Sequence, residues 1–212
     1  MEQHREIRVS GEDYAPRVRE VAEGAESRII EGYAIVFGRT SELLSDYWEK
    51  YREIIQQGAV TQELLDDSDI KMTLWHNRER LLARRDHGVG SLEVGIDGKG
   101  VWYRFEAPNT PDGNTALELV RRGDLAGSSF IYSTREAEDV RYDKLEDGTI
   151  IRTVLKIGRI YDMTIASDPA YKDTTVNARE VMALIEKKTA SPAPNNEWRA
   201  QVRALRRKTN IF

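Results

Sequence analysis

Four polar residues in three short segments carry the functional groups of a serine hydrolase. They are His76, the adjacent Ser128 and Ser129, and Asp162. A serine hydroxyl is a weak nucleophile until a base within hydrogen-bond reach takes its proton, and histidine is the side chain whose ordinary pKa lies near neutral. A carboxylate beside the imidazole fixes its tautomer and stabilises its charge. Each segment is typical of a strand with apolar neighbours, so a Ser-His-Asp triad is one hypothesis for this chain.

The serines and the histidine could instead have purely structural roles. Neighbouring side chains of a strand point to opposite faces, so only one of the two serines can meet His76. Both serines could instead be small residues that let strands pack closely after Gly127. In a strand predicted over 70–76, His76 would share a core-facing surface with Met72 and Leu74, as a core or barrel-rim histidine does.

The acidic member has competing interpretations too. Asp162 needs a partner because an unpaired buried carboxylate is costly, and that partner is either a histidinium or one of Arg159 and Arg152. His87 lies in a polar loop and is predicted to be a surface residue, with an alternative role in the triad. Asp168 precedes a proline and is predicted to make a turn.

Length and composition limit the class of protein. The 212 residues suffice for one domain with appendages, and a net charge of -4 argues against binding nucleic acid without a local basic patch. No cysteine is present and the three histidines lack metal-ligand spacing, so we expect a reducing compartment, no metal and no cofactor. The charged N-terminus and the lack of an apolar run of about 18 residues predict a soluble intracellular protein with no membrane span.

Residue patterns predict a mostly β fold. Strands are expected at 29–37, 53–56, 70–76, 90–96, 100–106, 128–134, 149–155 and 157–166. Asp97-Gly98 and Asp147-Gly148 are typical of hairpin turns, because glycine tolerates positive φ. We therefore expect mostly antiparallel, locally connected strands in a closed or strongly bent β-barrel with a few peripheral helices. Such a barrel can hold side chains from distant strands around one point.

Two helices and four regions are expected along the chain. One helix is predicted between a Thr110 cap and a Gly123 stop, and the other over about 175–188. The regions are a charged N-terminal arm or edge strand over 1–27, a domain over 28–188, a linker over 189–196 and a basic amphipathic tail over 197–212. The tail is interpreted as a solvated helix, a docking peptide or a segment that the enzyme clips. We favour docking or clipping, because the linker leaves the tail accessible.

Five segments, in order, resemble the prohead maturation proteases of tailed bacteriophages, serine peptidases related to herpesvirus assemblin. They are the Gly-Tyr-Ala strand at 30–37, the turn at 53–60, His76-Asn77, the Gly-x-Ser-Phe segment at 127–130 and the Asp-x-Thr segment at 162–171. The resemblance covers roughly residues 29 to 179. This chain has Gln57, Val60 and Ile131 where the family usually has proline, phenylalanine and glycine.

The resemblance implies residue roles and a function. His76 matches the family's catalytic histidine, Ser129 its nucleophile and Asp162 the acidic position proposed as third member. It implies a herpesvirus-protease-like β-barrel and a serine endopeptidase that trims scaffold or capsid-protein segments, and possibly itself, inside the assembling prohead in the host cytoplasm. A homodimer or larger assembly is also implied.

Two other functions compete with this one. The first is a non-enzymatic β-barrel shell or scaffold-interaction protein of the same fold. The second is a hydrolase of another ester or amide, which predicts a deep closed pocket. A peptidase instead needs an open groove beside Ser129 into which an extended strand can add.

Overall fold

The computed structural model describes residues 6–10, 14–20, 27–45 and 50–167. His76, Ser129 and Asp162 all lie within these ranges. Asp168, the predicted helix at 175–188, the linker at 189–196 and the tail at 197–212 lie outside the described residues.

The described strands form three sheets, which confirms the predicted mostly β class. The six-stranded sheet contains, in spatial order, β1 (Glu6–Ser10), β11 (Gly127–Ser133), β14 (Arg159–Ala166), β6 (Asp69–Leu74), β7 (Asn77–Asp86) and β8 (Val89–Gly90). One four-stranded sheet contains β2 (Arg17–Val18), β3 (Ile29–Val36), β10 (Gly100–Glu106) and β9 (Leu92–Ile96). The other contains β12 (Val140–Lys144), β13 (Ile150–Val154), β5 (Lys50–Ile55) and β4 (Leu44–Ser45).

Most neighbouring strands run antiparallel, as predicted, but two pairs are parallel. β5 pairs parallel with β13, and β6 pairs parallel with β14. Both parallel pairs join distant parts of the chain, so the expectation of local connections fails there. Within the described part of the chain, β1 and β8 are the outer strands of the six-stranded sheet. The sheet is therefore open at both edges, and closure into a barrel is not confirmed.

Two α-helices lie in the described residues. Helix α2 (Pro111–Arg122) matches its prediction: the Thr110 hydroxyl accepts from the Gly113 amide, and Gly123 ends the helix with a φ of 77°. Helix α1 (Gln62–Asp67) was not predicted, because its six residues are too few to show a helical period.

Charged strands were missed by the sequence analysis. β7 is dominated by charged residues and its apolar residues are consecutive rather than alternating, yet it pairs with β6 on one side and β8 on the other. β12 was not predicted either: three of its five residues are charged, and it pairs with β13.

Both predicted hairpin turns connect antiparallel strands, but they differ in backbone conformation. Gly148 has a φ of 88°, the left-handed conformation that favours glycine. The turn between β9 and β10 does not need positive φ at Gly98. There the Asp97 carboxylate accepts hydrogen bonds from the amides of Lys99 and Gly100, at 2.7 and 3.0 Å, which closes the turn.

The main core contains buried side chains of both the six-stranded sheet and the β3–β10 sheet. Tyr103 of β10 is fully buried, and its hydroxyl lies 2.7 Å from the Ser128 hydroxyl of β11. Burial raises the pKa of Tyr103, so this hydrogen bond joins two neutral hydroxyls. A Cβ at Gly32 would lie 2.7 Å from the Tyr103 hydroxyl oxygen, so the glycine makes room for this contact.

A buried ion pair within the β12–β13–β5–β4 sheet also contacts the six-stranded sheet. Arg152 of β13 donates to Glu53 of β5, and both side chains are almost completely buried. Tyr132 of β11 also donates to Glu53, at 3.0 Å. Removing one partner of such a pair typically costs about 3–5 kcal/mol, because the remaining charge stays buried. Glu53, the first residue of the turn that resembles the phage proteases, therefore has a structural role.

We expect Gly32→Ala to destabilise the fold by about 1–3 kcal/mol, because the new methyl group must displace the ring of Tyr103 or the backbone at Pro16, whose Cα would be 3.1 Å away. Urea unfolding measures the loss. The matched control is Gly98→Ala, where the added methyl group meets no atom within 4 Å. Equal unfolding free energies for the two variants would contradict the packing argument.

Candidate active site

His76 lies in a tight turn, not in a strand. β6 ends at Leu74, which pairs with Asn77 of β7, and Trp75 and His76 form the two-residue connection. Their φ angles are 52° and 57°, as in a type I′ turn. The prediction that a strand over 70–76 includes His76 was wrong, and the histidine does not share the buried face of Leu74.

This turn conformation is costly for large side chains. Left-handed φ costs about 1–2 kcal/mol for each residue with a Cβ, and asparagine or glycine normally occupies such a turn. Trp75 and His76 are therefore a backbone outlier of the kind that clusters at functional sites. Contacts from the surrounding strands must stabilise it.

Thr164 of β14 makes the main described contact to this turn. The His76 main-chain N–H donates to the Thr164 hydroxyl at 3.0 Å, and that hydroxyl donates to the Thr73 carbonyl at 2.8 Å. The parallel register places Thr164 opposite Thr73. One buried hydroxyl thus joins the turn to both strands that lead into the site.

The imidazole of His76 connects the carboxylate to the serine. Its Nδ1 lies 2.5 Å from Asp162 Oδ1, and its Nε2 lies 2.8 Å from Ser129 Oγ. The second carboxylate oxygen of Asp162 accepts from the Thr73 hydroxyl at 3.1 Å. The His76 side chain is 18% exposed and the Asp162 side chain only 1%. The structure therefore brings together the three residues selected from the sequence.

The two serines of β11 point in opposite directions, as the strand period requires. Ser128 hydrogen-bonds to Tyr103 in the core, whereas Ser129 faces His76. The structure therefore puts Ser129, the residue selected by the family resemblance, next to the imidazole.

The hydrogen-bond partners favour one tautomer of the histidine. An ionised Asp162 can only accept, so the proton on His76 belongs on Nδ1. Nε2 is then free to accept the proton of the Ser129 hydroxyl. The arrangement can activate a hydroxyl for attack on a carbonyl carbon and stabilise the imidazolium that forms.

Arg152 and Arg159, which were considered as partners of Asp162 in place of a histidinium, contact other residues. Arg152 pairs with Glu53, and the guanidinium of Arg159 lies over the Tyr161 ring, 5.1 Å from its centroid. His87 is a surface residue, as predicted: its side chain is 72% exposed and hydrogen-bonds to the neighbouring aspartate.

Two threonines of the site were not among the residues selected from the sequence. Thr73 and Thr164 are fully buried and contact Asp162 and His76, respectively. One signal was available: Thr164 is two residues after Asp162 in a strand, so both side chains share a face. The parallel pairing that brings Thr73 to that face has no local signal.

A tryptophan beside His76 contacts an arginine of β7 that also pairs with α2. The Arg80 guanidinium lies 4.6 Å from the centroid of the Trp75 ring. Arg80 also donates to Asp112 in the first turn of α2, at 2.6 and 2.8 Å. This contact links α2 to the turn that carries His76, although Trp75 remains 41% exposed.

The open groove that a peptidase needs beside Ser129 is absent from the described part of the chain. β11 lies between β14 and β1, and Ser129 pairs with Val9 of β1. Ser129 has no solvent exposure. The edge at which an extended peptide would add is therefore occupied by residues 6–10.

No group of His, Asp and Glu side chains in the described ranges could hold a metal ion. Among the helices that the structure describes, none is long and apolar enough to cross a membrane.

Comparison with known proteins gives a family. The family model described as caudovirus prohead serine protease matches residues 14–188, which is most of the chain. No curated protein and no solved structure gave a significant match. The family indicates a serine protease with a role in phage prohead maturation, acting in the assembling prohead, and the resemblance to phage prohead proteases is thereby confirmed. The chain belongs to the caudovirus prohead serine protease family.

Proposed function

We propose that this chain is a serine endopeptidase in which Ser129 is the nucleophile, His76 the general base and acid, and Asp162 the residue that orients the imidazole. The observation that carries the proposal is the continuous hydrogen-bonded connection from Asp162 through both ring nitrogens of His76 to Ser129. The proposed roles agree with membership of a serine protease family.

The proposed reaction has two stages. His76 Nε2 takes the proton as Ser129 Oγ attacks the peptide carbonyl, and the resulting imidazolium gives that proton to the leaving amine, which leaves an acyl-enzyme. Water then attacks the ester with His76 again as base, which releases the new carboxylate. Asp162 stays ionised throughout and stabilises the positive imidazolium.

Thr164 and Thr73 act as positioning residues in this proposal. Thr164 holds the main chain of His76 in a conformation that the residue would not adopt by itself. Thr73 donates to the Asp162 oxygen that does not face the imidazole, and so limits rotation of the carboxylate. Because reacting groups must be aligned to within about an ångström, such contacts affect rate rather than substrate binding.

The proposed substrates are scaffold segments, capsid-protein segments, or both, cleaved during prohead maturation. The family supports a role in that process. Cleavage of the chain's own basic tail over 197–212 and assembly into a homodimer or larger complex are further proposals that follow from the resemblance described above.

A second candidate is a shell or scaffold-interaction protein that keeps the fold without turnover. The complete burial of Ser129 favours it, since a nucleophile must meet its substrate. Ile131, at a position where the family usually has glycine, also favours it. Cleavage measurements on serine variants discriminate between the two candidates.

We expect Ser129→Ala to abolish cleavage of the phage's scaffold and capsid proteins, with a loss of several orders of magnitude, because it removes the hydroxyl that hydrogen-bonds to Nε2 of His76. Co-expression followed by mass spectrometry of the fragments measures cleavage. The matched control is Ser128→Ala, which removes the adjacent hydroxyl on the other face of β11 and should leave cleavage intact in the folded protein. Undiminished cleavage by Ser129→Ala would refute the proposed nucleophile.

We expect Thr164→Val to lower kcat by about 10–100-fold with little change in KM, because the isosteric side chain cannot accept the hydrogen bond from the His76 amide. Thr164→Ser keeps the hydroxyl and should restore most of the rate. Steady-state kinetics of both variants, beside their unfolding free energies, separate positioning from stability. The positioning role is wrong if the valine variant keeps the wild-type kcat.

A further inference from the structure

The proposed nucleophile cannot meet a substrate in the described conformation. Ser129 has no exposed surface, whereas the His76 side chain is 18% exposed. A peptide carbonyl must come within bonding distance of Ser129 Oγ before attack can occur. Part of the structure around Ser129 must therefore move.

β14 and β1 are the two strands that pair with β11, and they differ in what the site would lose if each left the sheet. β14 carries Asp162 and Thr164 and pairs with both β11 and β6, so its loss would dismantle the site. Among the described strands, β1 is the outer strand of the sheet, has five residues and pairs with β11 alone. It can leave without disturbing the hydrogen bonds among Asp162, His76 and Ser129.

β1 also lies outside the part of the chain that the family model matches. The family match begins at residue 14, so residues 6–10 precede the matched region. In the antiparallel pairing with β11, Val9 lies directly opposite Ser129. The chain's own N-terminal segment therefore lies at the residue proposed to carry out the chemistry.

We propose that residues 6–10 occupy the position in which an extended substrate segment binds, and that the substrate adds to β11 as an antiparallel strand in their place. This proposal rests on the proposed function of Ser129. The exchange replaces one set of main-chain hydrogen bonds with another, as in other cases of peptide addition to a sheet edge. A short strand paired on one side is also among the parts of a fold that open most easily.

Occupation by residues 6–10 makes the resting enzyme self-inhibited. A segment of the same chain competes at an effective concentration in the millimolar range, so dilute peptides displace it poorly. Substrate segments held at high local concentration displace it better. Proteolysis is then confined to places where extended substrate segments are crowded together.

A reversible cross-link tests the proposal in the full chain. Ile7 pairs with Ile131, and directly opposed residues of antiparallel strands have Cα separations of about 4.5–5.5 Å, which suit a disulfide. The chain contains no cysteine, so Ile7→Cys with Ile131→Cys introduces one defined bond. Each single variant serves as a control for the substitution itself.

The first readout is the rate at which a fluorophosphonate labels Ser129. We expect labelling of the oxidised double variant to be at least about 10-fold slower than that of the reduced form, with recovery after addition of reductant. Equal rates, with the disulfide verified by intact mass, would overturn the proposal. Absence of labelling in wild type and in every reduced variant would instead refute the proposed function of Ser129.

The second readout needs no catalysis. Those main-chain amides of residues 6–10 that donate to β11 should exchange with solvent at least about 10-fold faster than the amides of β14 in the reduced double variant, and should slow to the β14 rate after oxidation. Equal exchange of the two strands in the reduced form would overturn strand displacement, whether or not Ser129 reacts.

Discussion

The parallel register of β14 against β6 is the constraint on which the site depends. It puts Thr164 opposite Thr73 and places Asp162 within reach of the imidazole that follows β6. The antiparallel pairing of β14 with β11 then brings Ser129 opposite Thr164. One strand thus fixes the positions of the hydroxyl and of the histidine turn, and also carries the carboxylate.

The site stores local strain that the surrounding sheet offsets. Two large residues adopt left-handed φ in the turn, and the hydrogen bond from His76 to Thr164 stabilises that conformation. Other residues of the family-like segments are explained by packing rather than by chemistry. Gly32 makes room for Tyr103, and Glu53 pairs with Arg152 in the interior.

Local patterns in the sequence predicted the β class and helix α2 and gave His76, Ser128, Ser129 and Asp162 as candidates, and the family resemblance then selected Ser129 as the nucleophile. They identified Asp162 as a buried carboxylate in need of a partner, and they required the two serines of β11 to point apart. The alternation of β14 also contained the signal for Thr164, which was not used. These features depend on neighbours within a few residues, and for that reason the sequence reveals them.

Features that depend on distant pairing were not predictable. The parallel contact between β6 and β14 joins segments far apart in the chain, and with it comes the role of Thr73. The turn at His76 was mistaken for strand because bulky residues rarely adopt left-handed φ. The charged strand β7 lacks alternation because its buried residues Leu82 and Ala83 are consecutive, and it pairs on both edges.

The hydrogen bonds from Asp162 through His76 are proposed to activate Ser129. Identifying the serine that a fluorophosphonate modifies is the decisive measurement. Peptide mass spectrometry after prolonged incubation distinguishes Ser129 from Ser128. We expect a phosphonyl group on Ser129 in the wild type and almost none in His76→Ala. Modification of Ser128, or equal modification of Ser129 in the wild type and in His76→Ala, would contradict the proposed activation.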